Sequence, residues 1–405
     1  MKSINLAIIG VGCRGYSWIN EVLKFENVTV TAVCDKYEDR VERAIARINE
    51  KKDNLVFGTT DYKEVLIRDD VDMVMVASSW DTHSIISIDS MKAGKFTCME
   101  VGGAYSLEEC WELVHTWEET KTPFFFMENC CFGQYETMVL NMVKKGLFGE
   151  IVYCEGGYCH DLRKEVAEGK IERHYRLEEY LSRNCENYPT HELGPIAKVL
   201  GINNGNRFVS LRSVVSGSKG MDAYIKENMP DDEYLKGKTF AQADIVKTFI
   251  TCENGETITI TLDTTLPRFY SRGFTVRGTK AMYFEDTNTV YFDKEHEKYD
   301  FNARPIWDNA TQYAKEHCMP YWENPEELKK SGHGGMDYVL FKAMVDAYLT
   351  GDYPAVDIYD AAAWMAITAL STTSIQNGGK LVDVPDFTCG KYKNRTETNN
   401  GIYAL

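Results

Sequence analysis

The first third of the chain alternates short apolar runs with amphipathic stretches. Apolar runs that fit buried strands cover residues 6–9, 28–34, 71–77, 96–99 and 123–127. Amphipathic stretches lie between them, such as 61–67, 84–92 and 107–120, and are long enough for helices that connect parallel strands. This alternation is typical of a parallel sheet with helices on both faces. It predicts an α/β, doubly wound Rossmann domain over residues 1–129.

The pattern changes after Asn129. Runs rich in β-branched and aromatic residues, often alternating with polar ones, cover residues 152–158, 207–216, 245–251, 256–262, 274–277 and 290–292. Asn254 and Gly255 lie between two of these runs and predict a β-hairpin. Helices are predicted at 192–200, 336–350 and 357–376. We therefore expect an α+β domain with an open, mostly antiparallel sheet over residues 130–389, followed by a polar tail at 390–405.

Length and charge narrow the class of protein. A chain of 405 residues with 44% hydrophobic residues fits about two globular domains. A formal net charge of -16 without a basic run argues against a nucleic-acid partner. No run reaches the roughly 18 apolar residues of a membrane span, so we expect no membrane partner. The open sheet face predicts a homo-oligomer, either a dimer or a tetramer.

The cysteines and the first residues bear on the compartment. The chain has 12 cysteines, including the adjacent Cys130 and Cys131, but none has the spacing of a zinc site. We therefore expect reduced thiols, no metal and a cytoplasmic protein. The first residues run directly into a strand, which argues against a signal peptide, although an export signal already removed stays an alternative.

A glycine motif follows the first predicted strand. Gly10, Gly12 and Gly15 form a GxGxxG pattern at the start of a helix, and Asp35 lies 20 positions beyond Gly15, at the end of the next strand. Such a loop brings backbone N–H groups and a helix N-terminus to a pyrophosphate, where Arg14 would add a cation. Asp35 would bind the adenosine ribose and repel a 2′-phosphate, which favours NAD over NADP. The alternative is a glycine-rich turn with a solvent-facing Asp35.

Two further segments fall at the carboxyl ends of predicted strands, where ligands of open α/β sheets bind. In the first, Trp80 and His83 are of types that are more often packing or helix-start residues than ligand contacts, and Asp81 or Thr82 is placed to cap a helix. The two segments are Ser78-Ser79-Trp80-Asp81-Thr82-His83 and Met99-Glu100-Val101-Gly102.

Together these segments resemble the Gfo/Idh/MocA family of NAD(P)-dependent sugar oxidoreductases over nearly the whole chain. The resemblance implies a Rossmann domain followed by an open-sheet substrate domain. In that family a Glu-Lys-Pro motif after the fifth strand usually carries the catalytic lysine. The corresponding triplet here is Glu100-Val101-Gly102, so that lysine is missing.

One branch of the family also lacks the lysine, namely glycoside hydrolase family 109, which includes NAD-dependent α-N-acetylgalactosaminidases. This chain resembles it at five separated motifs, namely Trp80-Asp81-Thr82-His83, Glu100-Val101, Glu128-Asn129-Cys130-Cys131, Tyr188-Pro189-Thr190-His191 and Gly332-His333-Gly334-Gly335-Met336-Asp337. Two positions depart from the branch: Gly102 stands where proline is common, and Glu192 where glycine is usual.

The resemblance implies two sets of site residues. The NAD site would be lined, besides the glycines, by Cys13, Arg14, Asp35, Trp80, Asp81, Thr82, His83, Glu100, Val101 and Asn129. The substrate site would be lined by Glu128, Tyr158, Arg176, Tyr188, Pro189, Thr190, His191 and Tyr270.

The second-domain residues also have structural alternatives. Thr190 is placed to cap a helix, and His191 is either a first-turn residue without function or a proton shuttle near neutral pH. Tyr158 ends a strand and is either a packing or a site residue. Arg176 either pairs with Glu179 or Glu172 on a solvated face, or its planar guanidinium binds a pair of sugar hydroxyls or a carboxylate.

Three other residues are left open by the sequence. Tyr270 follows a turn and is either a surface aromatic or a site residue. His333, in a glycine-rich loop, is catalytic, cofactor-facing or neither. His160 follows the strand that contains Tyr158, and its role is also open.

The favoured function is an NAD-dependent glycoside hydrolase that acts by transient oxidation at C3, deprotonation at C2 and elimination at C1, with NAD recycled. Tyr158 would be the base at C2, and His191, supported by Tyr188, would exchange a proton at the C3 oxygen. The alternatives are a net sugar or inositol dehydrogenase and a non-catalytic NAD-sensing or sugar-binding protein. A pure binder, however, has no need of such an acid/base pair.

Overall fold

The computed structural model describes residues 3–52, 54–296 and 302–405. Its first sheet has six parallel strands in the order β3-β2-β1-β4-β5-β6, which is the order of a dinucleotide-binding fold. The strands are β1 (Ile4–Ile9), β2 (Val28–Cys34), β3 (Phe57–Thr59), β4 (Met73–Val76), β5 (Phe96–Met99) and β6 (Phe124–Phe126).

Helices connect these strands on both faces of the sheet. They are α1 (Cys13–Val22), α2 (Glu38–Asn49), α3 (Tyr62–Leu66), α4 (Trp80–Lys92) and α5 (Leu107–Thr120). The Rossmann prediction is confirmed, and α5 has the predicted bounds. The predicted helix at 84–92 begins four residues earlier, at Trp80, because the turn after β4 passes directly into the helix. The predicted strands omit β3, which is short and partly exposed and so has no apolar run.

The second sheet has eight strands in the order β13-β12-β11-β7-β10-β9-β8-β14. Only β7 and β10 pair in parallel, so the predicted mostly antiparallel sheet is confirmed for the described residues. Gly255, with φ +99°, lies in the predicted hairpin between β9 and β10. The strands are β7 (Ile151–Cys159), β8 (Phe208–Val215), β9 (Ile245–Cys252), β10 (Thr257–Asp263), β11 (Thr275–Gly278), β12 (Ala281–Phe284), β13 (Thr289–Phe292) and β14 (Val382–Asp383).

Two helices of the second half pack on this sheet, α9 against β7 and α14 against β8. The helices of this half are α6 (Gln134–Lys144), α7 (Arg163–Ala167), α8 (Arg176–Ser182), α9 (Thr190–Val199), α10 (Gly220–Asn228), α11 (Ala310–His317), α12 (Pro325–Leu328), α13 (Met336–Thr350) and α14 (Ile358–Gln376). Short 3₁₀ turns cover Asn129–Phe132, Glu168–Lys170, Arg304–Ile306, Pro320–Trp322, Gly332–Gly335 and Lys391–Asn394.

The opposite face of the second sheet is exposed along β9 and β8. On β9, Val246 and Ile250 are buried, whereas Phe249 between them is 45% exposed. Val214 on β8, which lies opposite Lys247 of β9, is exposed on the same face. Because side chains alternate between the two faces of a strand, this is the open face that the sequence predicts.

The last residues pack against the fold instead of forming the polar tail expected at 390–405. Tyr392 and Tyr403 are buried, and the Arg395 guanidinium pairs with Asp357 at the start of α14. The polar composition of this segment gives no sign of these two buried aromatic side chains.

Candidate active site

The glycine loop between β1 and α1 has the shape that a dinucleotide needs. Gly10 has φ +88°, and a Cβ there would lie 2.4 Å from the Ser78 backbone nitrogen. A Cβ on Gly15 would lie 1.8 Å from the Gly10 carbonyl oxygen, so helix and strand pack too closely for any side chain. At Gly12 a Cβ would approach only the Arg40 guanidinium, at 3.1 Å. The loop therefore fits the pyrophosphate of NAD, and Cys13 is exposed at the helix start.

Asp35 lies at the end of β2 as predicted. It accepts hydrogen bonds from the backbone N–H groups of Val11, at 3.0 Å, and Tyr37, at 3.1 Å. The guanidinium of Arg40 lies 3.8 Å from the same carboxylate and stacks over Tyr37. A cation thus stands next to Asp35. The preference for NAD over NADP that the sequence predicts rests on the Asp35 carboxylate alone, without a neighbouring cation.

Arg14 is held by two carboxylates in the first turn of α1. Its Nε donates to Glu100 at 2.7 Å, and its terminal nitrogens donate to Asp337 at 2.7 and 3.0 Å. Burial would raise the pKa of Asp337, but hydrogen bonds from His333 and Arg14 hold it well below its ordinary value. The positive charge of Arg14 is therefore balanced by carboxylates of the protein. The sequence predicts instead that Arg14 adds a cation at the pyrophosphate.

The same network extends to other predicted cofactor residues. Glu100 also accepts from the Trp18 indole at 2.6 Å and from the Val101 N–H at 3.0 Å. Asn129 donates to Asp337 at 2.8 Å. Four separate parts of the chain thereby meet at the start of α1.

The segment from Trp80 to His83 forms the first turn of α4. Trp80 stacks on Tyr188 with ring centroids 5.3 Å apart, so this segment joins the predicted cofactor and substrate residues. His83 is buried, which lowers its pKa, and its Nε2 lies 3.0 Å from the Ser78 carbonyl oxygen. Ser79 occupies the cap position that the sequence offers to Asp81 or Thr82, and the Thr82 hydroxyl donates to Ser78 at 2.8 Å.

His191 and Glu128 form a buried dyad. His191 Nδ1 lies 2.8 and 3.0 Å from the two oxygens of the Glu128 carboxylate, which can only accept, so Nδ1 carries the proton. Burial favours the neutral acid, but the imidazole and its hydrogen bond lower the pKa of Glu128 below its ordinary value. His191 Nε2 is left with a lone pair, 3.4 Å from the Tyr188 hydroxyl. This is the arrangement of an oriented general base.

Local structure explains how the dyad forms. Glu128 caps the 3₁₀ turn Asn129–Phe132 by accepting from the Cys130 N–H at 3.0 Å. Pro189 precedes α9 as its N-cap, so Thr190 and His191 are the first helical residues. Thr190 therefore does not have the cap position that the sequence offers it.

Aromatic rings and one guanidinium surround the dyad. The ring of Tyr158 lies 4.6 Å from that of Tyr188 and 5.7 Å from that of His191. Arg176 is buried, lies 5.3 Å from the Tyr188 ring and pairs with Glu165 at 2.7 Å. Its partner is therefore neither Glu179 nor Glu172, and its face is not solvated.

Tyr270 and His160 complete the substrate side. Tyr270 is half-exposed, and its ring lies 5.3 Å from that of His160, which stacks in turn on Tyr158. Burial raises the pKa of Tyr158, and the nearby Arg176 opposes that shift. The structure thus brings all eight predicted substrate residues around one site.

A pair of carboxyl groups lies behind the dyad. Glu186 and Glu192 are fully buried, and their oxygens have no hydrogen-bond partner in the part of the chain that the structure describes. Burial raises the pKa of Glu186 to about 8, and burial together with Glu186 raises that of Glu192 well above its ordinary value. A Cβ on Gly156 would meet the Glu192 Cβ at 2.8 Å, so β7 approaches closely here.

Three residues of the site are not predicted from the sequence. Asp337 ends the motif that begins at Gly332, but its contact with Arg14 spans 323 positions. Arg40 lies in the first turn of α2, five positions after Asp35, and its guanidinium reaches back to Gly12 of the glycine loop. The closeness of Arg40 to Asp35 in the sequence is the signal that could have identified it. Glu165 has no sequence signal, because its pairing with Arg176 depends on how the short helices α7 and α8 fold back.

The chain matches two protein-family models. Residues 4–127 match the oxidoreductase family with an NAD-binding Rossmann fold, and residues 132–394 match the C-terminal domain of glycosyl hydrolase 109. Fold and site therefore define an NAD-dependent enzyme of the Gfo/Idh/MocA type. Within that class, the chain belongs to glycosyl hydrolase family 109.

Individual relatives agree with this assignment. A glycosyl hydrolase family 109 protein of Parabacteroides distasonis is 36% identical over 97% of this chain and 88% of its own length. An α-N-acetylgalactosaminidase of Tannerella forsythia is 34% identical over 97% of this chain and 88% of its own length. The chain is thus an NAD-dependent glycosidase or sugar oxidoreductase.

Solved structures share the fold at low identity. Levoglucosan dehydrogenase, solved with NADH and levoglucosan, has a TM-score of 0.71 and 16% identity over 95% of this chain and all of its own. Myo-inositol dehydrogenase from Lactobacillus casei, solved with NAD(H) and myo-inositol, has a TM-score of 0.65 and 15% identity over 95% of this chain and 99% of its own. Across the described residues, no helix is long and apolar enough to cross a membrane.

Proposed function

We propose that this protein is an NAD-dependent glycoside hydrolase for α-linked N-acetylgalactosamine. The observation that carries the proposal is the Glu128–His191 dyad, which offers an oriented base while the triplet Glu100-Val101-Gly102 lacks the lysine of sugar dehydrogenases. The substrate class follows the names of relatives from Tannerella forsythia and Shewanella oneidensis, both α-N-acetylgalactosaminidases.

The dyad serves the C3 oxygen of the sugar. Bound NAD supplies a reversible two-electron oxidation of the C3 carbinol, so that the cofactor is unchanged after each turnover. His191 Nε2 accepts the C3 hydroxyl proton, and the Glu128 carboxylate stabilises the resulting imidazolium through Nδ1–H. Tyr188, 3.4 Å from Nε2, orients that hydroxyl.

Tyr158 serves C2. A carbonyl at C3 makes the neighbouring C2 proton acidic, because the carbanion is stabilised as an enolate. The Tyr158 phenolate takes this proton and the substituent at C1 departs. Arg176 favours the phenolate by its charge, against the effect of burial, which raises the pKa of Tyr158.

The departing oxygen at C1 needs a proton, and we assign this role to His333. Its Nδ1 lies 2.7 Å from the Asp337 carboxylate, and its side chain is 50% exposed. His333 and the two glycines after it have positive φ values, which places this imidazole at the tip of a tight loop. A carboxylate that orients a half-exposed imidazole is a suitable acid for a leaving group.

A net sugar dehydrogenase is the second candidate. The observation that favours it is the shared fold with levoglucosan and inositol dehydrogenases. His191 would then serve the same hydroxyl, but reduced cofactor would leave at each turnover.

The test separates the two functions. NAD-loaded protein is incubated with an aryl α-N-acetylgalactosaminide and, in parallel, with free sugars, while aryl release and NADH absorbance are both followed. The hydrolase is expected to release many aryl groups per chain with no accumulation of NADH. Growth of NADH that matches product would overturn the proposal in favour of the dehydrogenase.

We also propose that the open sheet face joins copies of this chain into a dimer or a tetramer. Phe249 and Val214 expose apolar surface there. Light scattering of Phe249→Glu should show smaller particles than the parent protein, whereas a parent protein that is monomeric would contradict the proposal.

A further inference from the structure

Three different metal-binding side chains meet in the substrate site. The ligand atoms of Glu128, Cys130 and His191 lie within 4.8 Å of one another. It is the only such group of three His, Cys, Asp or Glu side chains in residues 3–52, 54–296 and 302–405. Glu128 and Cys130 are almost fully buried, and His191 retains 9% exposure on the side of the site.

The fold makes this cluster from two helix starts. Glu128 caps the 3₁₀ turn Asn129–Phe132, and Cys130 lies within it, where the thiol is also 3.5 Å from the Asn129 side-chain oxygen. His191 comes from the first turn of α9. Because the imidazole is 61 positions beyond the thiol, the sequence has no zinc-site spacing and predicts no metal.

We propose that Glu128, Cys130 and His191 bind a soft divalent cation, Zn²⁺ or Cd²⁺, and that this cation inhibits the enzyme. A thiolate, an imidazole and a carboxylate are the ligands that Zn²⁺ takes in proteins, and sites with three protein ligands keep a fourth position for water. Tetrahedral bonds of about 2.0–2.3 Å place ligand atoms about 3.5 Å apart, so the cluster closes on the ion by shifts of about 1 Å.

Binding changes the protonation of the dyad. The Cys130 thiol gives its proton to solvent, and the metal bonds to its sulfur. At His191 the metal takes Nδ1, so the single proton of the neutral ring moves to Nε2, and the hydrogen bond to Glu128 is replaced by metal–ligand bonds. Nothing is oxidised or reduced. Because Nε2 then carries a hydrogen, it no longer accepts the proton of a sugar hydroxyl.

Charges around the cluster do not exclude a cation. Arg272 lies next to Cys130 and is the adverse charge. Its guanidinium, however, is paired with Glu136 and, at 3.2 Å, with Glu285. Two acidic side chains thus offset one positive charge before the metal enters.

Cadmium titration of the NAD-loaded protein tests the site. We expect one Cd²⁺ per chain, seen by the ultraviolet absorption of a cadmium–thiolate bond, with release of one proton. Cys130→Ser should lose this absorption and weaken binding on the order of a hundredfold, because a thiolate ligand is lost. Cys131→Ser is the matched control, since Cys131 is also buried in the same turn but lies outside the cluster; its binding should stay within about twofold.

Two results would overturn the site: no cadmium–thiolate absorption in the parent protein, or equal binding by Cys130→Ser and the parent. Cys130→Ala serves as a second variant if the serine variant does not fold. Both replacements remove the thiolate, so each tests the same metal ligand.

The inhibition arm rests on the proposed function. Zn²⁺ should inhibit aryl release by the parent and by Cys131→Ser, a chelator should restore it, and Cys130→Ser should resist. Metal binding that depends on Cys130 but leaves turnover unchanged would contradict the role given to His191 while the site itself stands. Absence of binding would overturn the site and leave the proposed function untouched.

Discussion

The nucleotide side and the substrate side of the site differ in how their polar groups are satisfied. Around Arg14, the carboxylates of Glu100 and Asp337 are bonded within the protein. On the substrate side, buried nitrogens of His160, Arg176 and Arg272 have no hydrogen-bond partner among the described residues. His83, with an unbonded Nδ1, is the exception on the nucleotide side.

The difference fits two kinds of ligand. An unpaired buried polar group costs about 1–3 kcal/mol, so a protein keeps one where a ligand will satisfy it. Under the proposed function the cofactor stays bound and meets a surface whose polar groups are already bonded, whereas a sugar that binds and leaves meets groups that it can itself satisfy. Substitutions on each side test this difference.

The largest effect is expected on the substrate side at His191. His191→Ala should lower turnover by about 100-fold to 10,000-fold, because it removes the proposed base at the C3 oxygen. Glu128→Gln should lose less, since it leaves the imidazole but weakens its orientation. NAD binding, measured by fluorescence titration, should be unchanged in both. A His191→Ala variant that still reduces its NAD on mixing with sugar would contradict the assignment.

Next comes Tyr158, where the role at C2 gives an isotope signature. Turnover in heavy water should place deuterium at C2 of the released sugar, and Tyr158→Phe should slow this exchange about 100-fold while NAD reduction persists. Because burial raises the pKa of Tyr158 and the base must be deprotonated, exchange should rise with pH above neutrality. Arg176→Met should shift this rise to higher pH. A product without deuterium at C2 contradicts the elimination mechanism.

A smaller effect is expected on stability, from the carboxyl pair behind the dyad. Both pKa values are raised in the folded state. The contribution of these two groups to the free energy of unfolding is therefore fully present below their ordinary pKa of about 4.5 and is lost as pH rises toward about 8. Glu192→Gln removes one ionisable group at similar volume. It should stabilise the protein by about 1–3 kcal/mol at pH 8 and little at pH 5.

Urea unfolding at the two pH values measures this difference. Glu150→Gln is the control, because Glu150 is exposed and should change stability equally little at both pH values. Equal effects of Glu192→Gln at pH 5 and pH 8 would show that the pair does not hold its proton.

The smallest effect is expected on the nucleotide side, at Asp35. NAD should bind more tightly than NADP. Asp35→Ala should lower the ratio of the dissociation constants of NADP and NAD about tenfold, because the repelling carboxylate is gone and Arg40 is free to pair with the 2′-phosphate. Asp35→Ala combined with Arg40→Ala should restore part of the ratio. Equal binding of NAD and NADP by the parent protein would show that Asp35 does not face the ribose.

The sequence predicts the fold better than it predicts the pairings in the site. Helix α5 and strand β2 have their predicted bounds, because their apolar periodicity is local. The adjacency of Tyr188 and His191 is also local and is predicted. The partner of His191 is 63 positions away, so only the folded chain reveals that Glu128 orients it.

Charge pairing is the part of the site that the sequence predicts least well. The glycine motif predicts that Arg14 faces a phosphate, yet Asp337 from the far end of the chain neutralises it. The polar composition of residues 390–405 predicts a tail, while two tyrosines and Arg395 anchor it. Long-range partners of this kind leave no periodic signal in the sequence.

The edge strand β6 has a consequence for how the protein is made. The backbone N–H of Phe126 bonds to the Val356 carbonyl oxygen at 3.0 Å, and that of Ala104 bonds to the Met365 carbonyl oxygen at 3.1 Å. A ribosome therefore completes the nucleotide-binding sheet long before it releases the residues that cover its last strand. During that interval the edge is open to other chains. Synthesis rate and chaperone supply, more than the stability of the finished enzyme, should then limit the yield of active protein.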